Sequence, residues 1–299
     1  LKALLMKFFL VLLVLTLAAC QIEGTRPKMR IGYMNCNSEP ETLKRFGALN
    51  AYLSRETGID FELVPVDTQD FVERFAAGEF EFTHTNSLLY LILRKEQQLR
   101  LLATEKRGRY GSSTSSSIIV RRDSPIKSID DLRGKRMIFG PQLAPSGFLT
   151  SYDLLLSRGF DPEKELSYYA IPAGSFKHEK VIYAVYFGEF DAGAAPSLDL
   201  ELMIGDGKIS ADDFRVLAES PIVPYCTFGA RDSVDPALAE KFRQALITLT
   251  PETLVEFNGE KIKVMASAWV DGYETLADSD YDGLRAMAKR ANMPPYQVY

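Results

Sequence analysis

The feature that most constrains this chain is the way its apolar residues change period. Short runs of apolar and β-branched residues alternate with stretches whose apolar residues fall three or four apart. The first kind suits a strand and the second suits one face of a helix. Glycine closes several of the helical stretches, because it reaches the left-handed conformation that ends a helix. This reading predicts strands at 29–34, 61–66, 80–83, 101–105, 117–121, 136–139, 166–171, 190–195, 214–218 and 226–230. Between them it predicts helices at 41–57, 71–77, 87–93, 147–157 and 178–187, four of them ended by Gly58, Gly78, Gly159 and Gly188. In the first helix the expected inward residues are Leu43, Phe46, Leu49, Ala51 and Leu53. Ser128 and Asp131 can cap a helical turn. Asp235-Pro236 opens a further helix with Leu238, Phe242, Ala245 and Leu246 on one face, and the remainder of the chain reads as helical.

Such alternation implies an α/β chain with parallel sheets covered by helices. The strands are too many for one compact sheet, and 299 residues suffice for two lobes. The expected architecture is therefore two-lobed, each lobe a sheet flanked by helices, joined by two hinge strands near Ser117 and Cys226. Residues 28–116 and 227–299 form lobe I, with the C-terminal helices returning to it, and residues 117–226 form lobe II.

Hydrophobic residues make up 46% and charged residues 25%, so a folded body with a real core is expected. The net charge of −5 is spread along the chain. That argues against nucleic acid, whose binders carry basic faces. It leaves a small anion open, since local donors rather than overall charge hold one. The first residues differ from the rest: Lys2 and Lys7 precede an apolar run that ends at Cys20. The run is too short to span a bilayer, which takes about 20 residues, and it reads as a secretory signal. Leu17-Ala18-Ala19-Cys20 resembles the lipobox of bacterial lipoproteins. The expectation is a signal peptide over 1–19, lipidation of Cys20, with Met6 as an alternative start, and a tether over 20–27. Beyond Cys20, Cys36 and Cys226 would meet an oxidising compartment, where two thiols can pair.

In an open parallel sheet, ligands bind at the carboxyl ends of the strands. The loops there are 33–40, 83–87, 140–147, 173–178 and 195–197, rich in small polar residues. Helix starts offer free amide protons and a partial positive charge, which suit an anion. The candidate ligand-binding residues are Tyr33, Thr85, Asn86, Ser87, Thr114, Ser115, Ser146, Gly147 and His178. Ser146 and His178 are the sharpest, each standing where a lobe II helix begins. The bland alternative for Ser146 is a plain helix cap, and for His178 a surface residue in a first turn.

At these positions the chain resembles the phosphate/phosphite/phosphonate-type periplasmic binding proteins, which have the type II periplasmic-binding fold. The resemblance runs from about Arg30 to Leu246. It rests on Ile118-Ile119-Val120-Arg121-Arg122-Asp123-Ser124-Pro125-Ile126, followed by Ser128-Ile129-Asp130-Asp131-Leu132. It rests also on His178-Glu179, Asp191-Ala192-Gly193 and Ser220-Pro221-Ile222-Val223-Pro224. The resemblance implies an extracytoplasmic, monomeric solute-binding protein. It would close over a small anion by hinge motion and hand it to an ABC permease, with no cofactor. The departures are informative. Where the family has Ser-Thr-Ser-Gly at a helix start, this chain has Ala144-Pro145-Ser146-Gly147; two hydroxyls are gone and proline removes an amide donor. The carboxylates that hold the amino group in aminophosphonate binders would fall near Leu198 and Cys226, although Asp199 is adjacent to the first. An aminophosphonate is therefore disfavoured. Compensating donors are sought in the Ser-rich run 112–117, or at Thr83, Thr85, Asn86 and Ser87.

Two other classes were weighed. Catalysis by a Ser-His-Asp triad needs a nucleophile beside a base; the chain has two histidines, His84 and His178, and no Gly-x-Ser-x-Gly elbow. The segment 205–214 has the glycine of a calcium loop, but Leu202 and Ile204 would occupy liganding positions, so no metal is expected. A ligand sensor of a signalling system remains open, as does transport of a sulfonate, carboxylate or vitamin precursor.

Overall fold

The computed structural model describes residues 27–172 and 177–298. The expected signal segment, Cys20, most of the tether and Ser175 lie outside the described residues. The first third of the chain contains β1 (Lys28–Met34), α1 (Glu39–Thr57), β2 (Asp60–Val66), α2 (Phe71–Ala76), β3 (Phe82–Thr85), α3 (Ser87–Gln97) and β4 (Arg100–Lys106). The middle contains β5 (Ser113–Thr114), β6 (Ser116–Arg121), β7 (Arg136–Ile138), α4 (Thr150–Ser157), α5 (Pro162–Glu165), β8 (Tyr168–Ala170), α6 (His178–Tyr186), β9 (Ala192–Pro196), α7 (Ser197–Gly205), β10 (Phe214–Glu219) and β11 (Val223–Pro224). The end contains β12 (Thr227–Ala230), α8 (Pro236–Ile247), β13 (Leu254–Phe257), β14 (Glu260–Lys263), α9 (Val264–Ala268), β15 (Gly272–Glu274) and α10 (Asp282–Arg290).

The strands form a six-stranded sheet in the order β15-β4-β12-β3-β1-β2 and a five-stranded sheet in the order β10-β6-β9-β7-β8. The molecule is thus the two-lobed type II architecture. The sheets are mixed rather than parallel. β12 runs antiparallel to β3 and β4, and β6 runs antiparallel to β9 and β10. The cause is the double crossing: β6 and β12 each enter a sheet from the other lobe and so run against its βαβ strands. The two crossings pair with each other as β5 and β11, Thr114 opposite Val223.

Each helix begins and ends where local chemistry dictates. Pro40 stands in the first turn of α1, where a missing N–H costs nothing, and Gly58 ends it at φ 79°. The inward face of α1 is Thr42, Arg45, Phe46, Leu49 and Leu53, whereas Leu43 is 43% exposed. That face is rotated from the expected one and carries a buried arginine. It packs with α8 and α9 on one side of the first sheet, where Phe82 and Phe242 stack at 4.4 Å. Full burial of such a side chain stabilises by roughly 1.5–3 kcal/mol. Val181, Ile182 and Val185 of α6 and Met203 of α7 cover the second sheet with Ile119, Ile138 and Ala195.

Three further expectations need correction. The chain beyond α8 is not all helix, because β13 and β14 form a hairpin and β15 joins the first sheet's edge. Helix α7, unforeseen, begins directly after β9. The last helix does not return to lobe I alone. Tyr90 and Thr104 hold the segment before α10 through Asp278 and Tyr281 at 2.6 and 3.1 Å. α10 itself reaches lobe II, where Arg290 grips both oxygens of buried Asp153 at 2.8 and 2.9 Å.

Candidate functional site

The carboxyl ends of the strands face one another across a cleft of about 650 Å³ between the two sheets. From the first lobe come the ends of β1, β3 and β4: Asn35, Cys36 and Asn37, then Asn86 and Ser87, then Arg107. Arg45 and Trp269 add to that wall from α1 and the turn after α9. The second lobe contributes Pro145 and Ser146 after β7, Lys177 to Glu179 at the start of α6, and Leu198 and Asp199 in α7. The crossings contribute Thr114, Pro224, Tyr225 and Cys226.

Five of the nine sequence candidates line this cleft: Asn86, Ser87, Thr114, Ser146 and His178. Asn86 is largely occupied. Its Oδ1 caps α3 by accepting from the Leu89 amide at 2.9 Å, and its Nδ2 donates across the cleft to the Leu143 carbonyl at 2.9 Å. Ser87 Oγ is buried with no protein partner. Ser146 lies in a π-helical turn, Pro145–Leu149, whose cap position is Ala144 and makes no side-chain bond. Its hydroxyl is therefore not a cap, and the bland reading of Ser146 fails. His178 Nδ1 is buried and unpartnered as well. Burial holds this imidazole below its usual pKa, with Asp199 pulling weakly the other way, so the ring is neutral at pH 7.

The other four candidates lie off the cleft. Tyr33 is fully buried and stacks on Phe46 at 4.7 Å. Thr85 is fully buried in β3 opposite Thr227. The Ser115 hydroxyl donates to Ser197 at 2.9 Å, and Ser117 meets the same oxygen at 2.8 Å. Ser116 meets Ser151. The Ser-rich run is therefore mostly an internal seam that fastens β6 to α7 and α4, and Thr114 is its residue on the cleft lining. Gly147 acts behind the wall. A Cβ there would stand 2.4 Å from His178 Cε1, so the missing side chain makes room for the imidazole.

The charged half of the site was not foreseen. Arg45 Nε donates to the Ala268 carbonyl at 2.8 Å, and Nη2 lies 3.4 Å from Glu105. Phe46 and Trp269 hold the guanidinium at 4.4 and 5.4 Å from their rings. Burial alone would depress the Arg45 pKa, but Glu105, with smaller contributions from Cys36, Tyr225 and Cys226, raises it above its usual value. Beneath it, Glu105 is wholly buried and His84 Nε2 stands 2.9 Å from its Oε1. Burial pushes that carboxyl up, and His84 and Arg45 pull it below its usual range. Arg107 bonds to the Tyr225 hydroxyl at 3.2 Å and has no carboxylate within ion-pair distance among the described residues. Its signal was available: it follows directly on β4, whose end is not among the strand-end loops read from the sequence.

Both lysines of the cleft are paired. Lys177 bridges the lobes to Glu41 at 3.0 Å, and Lys208 meets Glu179 at 2.8 Å. Cys36 and Cys226 are both free and both line the cleft. Burial raises both thiols above their usual pKa, so they are protonated at neutral pH.

Residues 31–281 match the family model described as ABC transporter, phosphonate, periplasmic substrate-binding protein. PhnD1 from Prochlorococcus marinus, solved with methylphosphonate, is similar at a TM-score of 0.74 and 16% identity, covering 90% of this chain and 99% of that one. A Xanthomonas citri protein bound to ATP is similar at 0.72 and 19%, covering 89% and 98%. A binding component of an ABC phosphonate transporter from Pseudomonas aeruginosa follows at 0.71 and 16%, covering 88% and 86%. At such identities the structures speak for the fold. The tetrathionate sensor histidine kinase TtrS of Salmonella typhimurium is 28% identical over 231 residues, 72% of this chain. The chain covers 38% of the length of that relative.

Proposed function

The chain belongs to the periplasmic substrate-binding family of phosphonate ABC transporters, and from that premise we propose that it captures a small oxyanion between its lobes. The observation that carries the reading is the combination of unsatisfied groups on one cleft. Arg107 has no carboxylate partner, and Ser87 Oγ and His178 Nδ1 are buried without one. Buried polar groups are ordinarily hydrogen-bonded, and an oxyanion would satisfy all three. Ser146 adds a hydroxyl at the mouth of the π-turn. Thr114 adds another at the crossing. Tyr33, Thr85, Ser115 and Gly147 support these residues rather than touch the ligand.

The lobes divide at 116/117 and 226/227 and turn about the paired crossings β5 and β11. The Lys177–Glu41 bridge and the Asn86–Leu143 bond belong to the closed state, and ligand release opens both. Cys20 carries a lipid that anchors the protein as a monomer beside its ABC permease. Leu198 and Cys226 on the cleft wall supply no carboxylate at either position, which disfavours an aminophosphonate; Asp199 beside Leu198 is the carboxylate nearest to that role.

A thermal-shift panel of phosphate, phosphite, methylphosphonate, sulfate, tetrathionate and small organic acids tests this reading. Ligand at 100 times its dissociation constant stabilises by about 2.7 kcal/mol. At least one oxyanion is expected to do so, and a panel with no shift would refute the reading.

A second reading keeps the cleft and changes the output. The similarity to a tetrathionate sensor kinase favours a receptor that reports a sulfur oxyanion to a signalling partner. Met34, Cys36 and Cys226 give the cleft a soft, polarisable wall that suits sulfur. Tetrathionate outranking every phosphorus oxyanion in the same panel would favour this reading.

A further inference from the structure

Glu105 has no place in a simple anion site, since a buried carboxylate repels the ligand. It is nevertheless built in with care. Its side chain is fully buried at the end of β4, with His84 Nε2 at 2.9 Å and Arg45 Nη2 at 3.4 and 3.5 Å from its two oxygens. Its own amide donates to the Cys226 carbonyl at 2.8 Å, which ties it to a residue on the cleft wall. Arg45 in turn is fixed by the Ala268 carbonyl at 2.8 Å and by Phe46 and Trp269. Its Nη1 has no protein partner among the described residues, and the residue lines the cleft. Arg45 thus presents donors to the cleft while its charge is opposed from behind. Arg107, whose hydrogen-bond partner is the neutral Tyr225 hydroxyl, has no contact ion pair among the described residues; Glu105 and Asp199 act on it only through space.

We propose that Glu105 sets the charge that the cleft accepts: by pairing with Arg45 it leaves Arg107 as the one cation on the floor without an ion-pair contact among the described residues, so that singly charged oxyanions are preferred to doubly charged ones of the same size. The physical ground is desolvation. The cost of taking an ion from water rises with the square of its charge, and buried ions are tolerated only when paired. One free guanidinium matches one negative charge. A compact dianion needs a second, which Glu105 withholds. Glu105 acts through Arg45 and is a positioning and selecting residue rather than a ligand contact. The inference rests on the oxyanion reading above.

The probes are methanesulfonate and sulfate, similar in size and fixed in charge between pH 5 and 9 by their strong-acid chemistry. In Glu105→Gln, the ratio of their dissociation constants should move about tenfold or more toward sulfate. A second readout needs no ligand. Cys226 faces Glu105, Cys36, Arg45 and Arg107, with burial the main influence on its thiol. Losing the carboxylate charge should lower the pH midpoint of Cys226 alkylation, followed by peptide mass spectrometry, by about one unit. If Glu105→Gln does not fold, Arg45→Met supplies the opposite sign: the Cys226 midpoint rises and sulfate weakens more than methanesulfonate. A folded variant with an unchanged Cys226 midpoint, or with an unchanged probe ratio, overturns the role of Glu105. Absence of binding by wild type to either probe counts against the oxyanion reading instead, and the thiol midpoint then still decides the role of Glu105.

Discussion

The two walls of the cleft are built on opposite principles. The first lobe offers charge, with the guanidiniums of Arg45 and Arg107 on a floor backed by Glu105 and His84. The second lobe offers neutral donors at helix starts, the Ser146 hydroxyl and an imidazole that burial keeps uncharged. A buried guanidinium attracts from a distance through its charge and adds its hydrogen-bonding fork only at contact. A hydroxyl and a ring nitrogen, fixed by a π-turn and by the close packing of His178 on Gly140 and Gly147, act only at contact. On the proposed reading the two walls divide the work: the first draws the anion in and selects its charge, and the second tests its geometry as the lobes close.

The comparison yields ranked expectations. Arg107→Met should have the largest effect. Hydrogen bonds to a charged group are worth roughly 1.5–3 kcal/mol each, and the guanidinium offers two, so calorimetric titration should show affinity falling by about 100-fold or more. Equal loss from the second wall would break the asymmetry. Ser146→Ala and His178→Ala should each cost about tenfold in the same titration. Neither should lower the melting temperature much, because Ser146 makes no cap bond. Removing a true cap would cost about 1 kcal/mol, and a melting loss of that size with unchanged affinity would return Ser146 to a structural role.

The smallest effect is on stability against pH, and it separates the walls again. His178 has a folded pKa below its usual 6.5, through burial. The unfolded chain therefore takes up its proton first, and the associated stability is full above 6.5 and lost as pH falls beneath it. Glu105 is held below its usual 4.5. Its contribution is full above 4.5 and lost only as pH falls further. Melting against pH should show two steps, and His178→Ala should erase the upper one alone. Survival of the upper step in that variant would show that another group causes it.

The sequence was most informative where function depends on chain direction and helix starts. The strand–helix alternation, the two crossings and the His178 and Ser146 positions were all readable, because each depends on local period or on a helix boundary. The charged floor was not. Arg45 sits on a helix face whose phase was set by Leu43, an apolar residue that points to solvent, so the arginine fell outside the expected inward set. Glu105 and His84 lie far apart in sequence and meet only across the β4-β12-β3 ladder. Tyr33, Thr85 and Ser115 fail for the converse reason. They stand at the right strand ends, but the side chains turn into the core or the serine seam, an alternation that a one-residue change of phase reverses.

The most direct measurement is a crystal structure of the protein with the oxyanion that gives the largest thermal shift. The account expects the anion inside the interlobe cleft, with its oxygens within about 3.2 Å of an Arg107 guanidinium nitrogen and of His178 Nδ1, and with the Lys177–Glu41 bridge closed over it. An empty cleft at saturating ligand, or an anion held elsewhere on the surface, would contradict it.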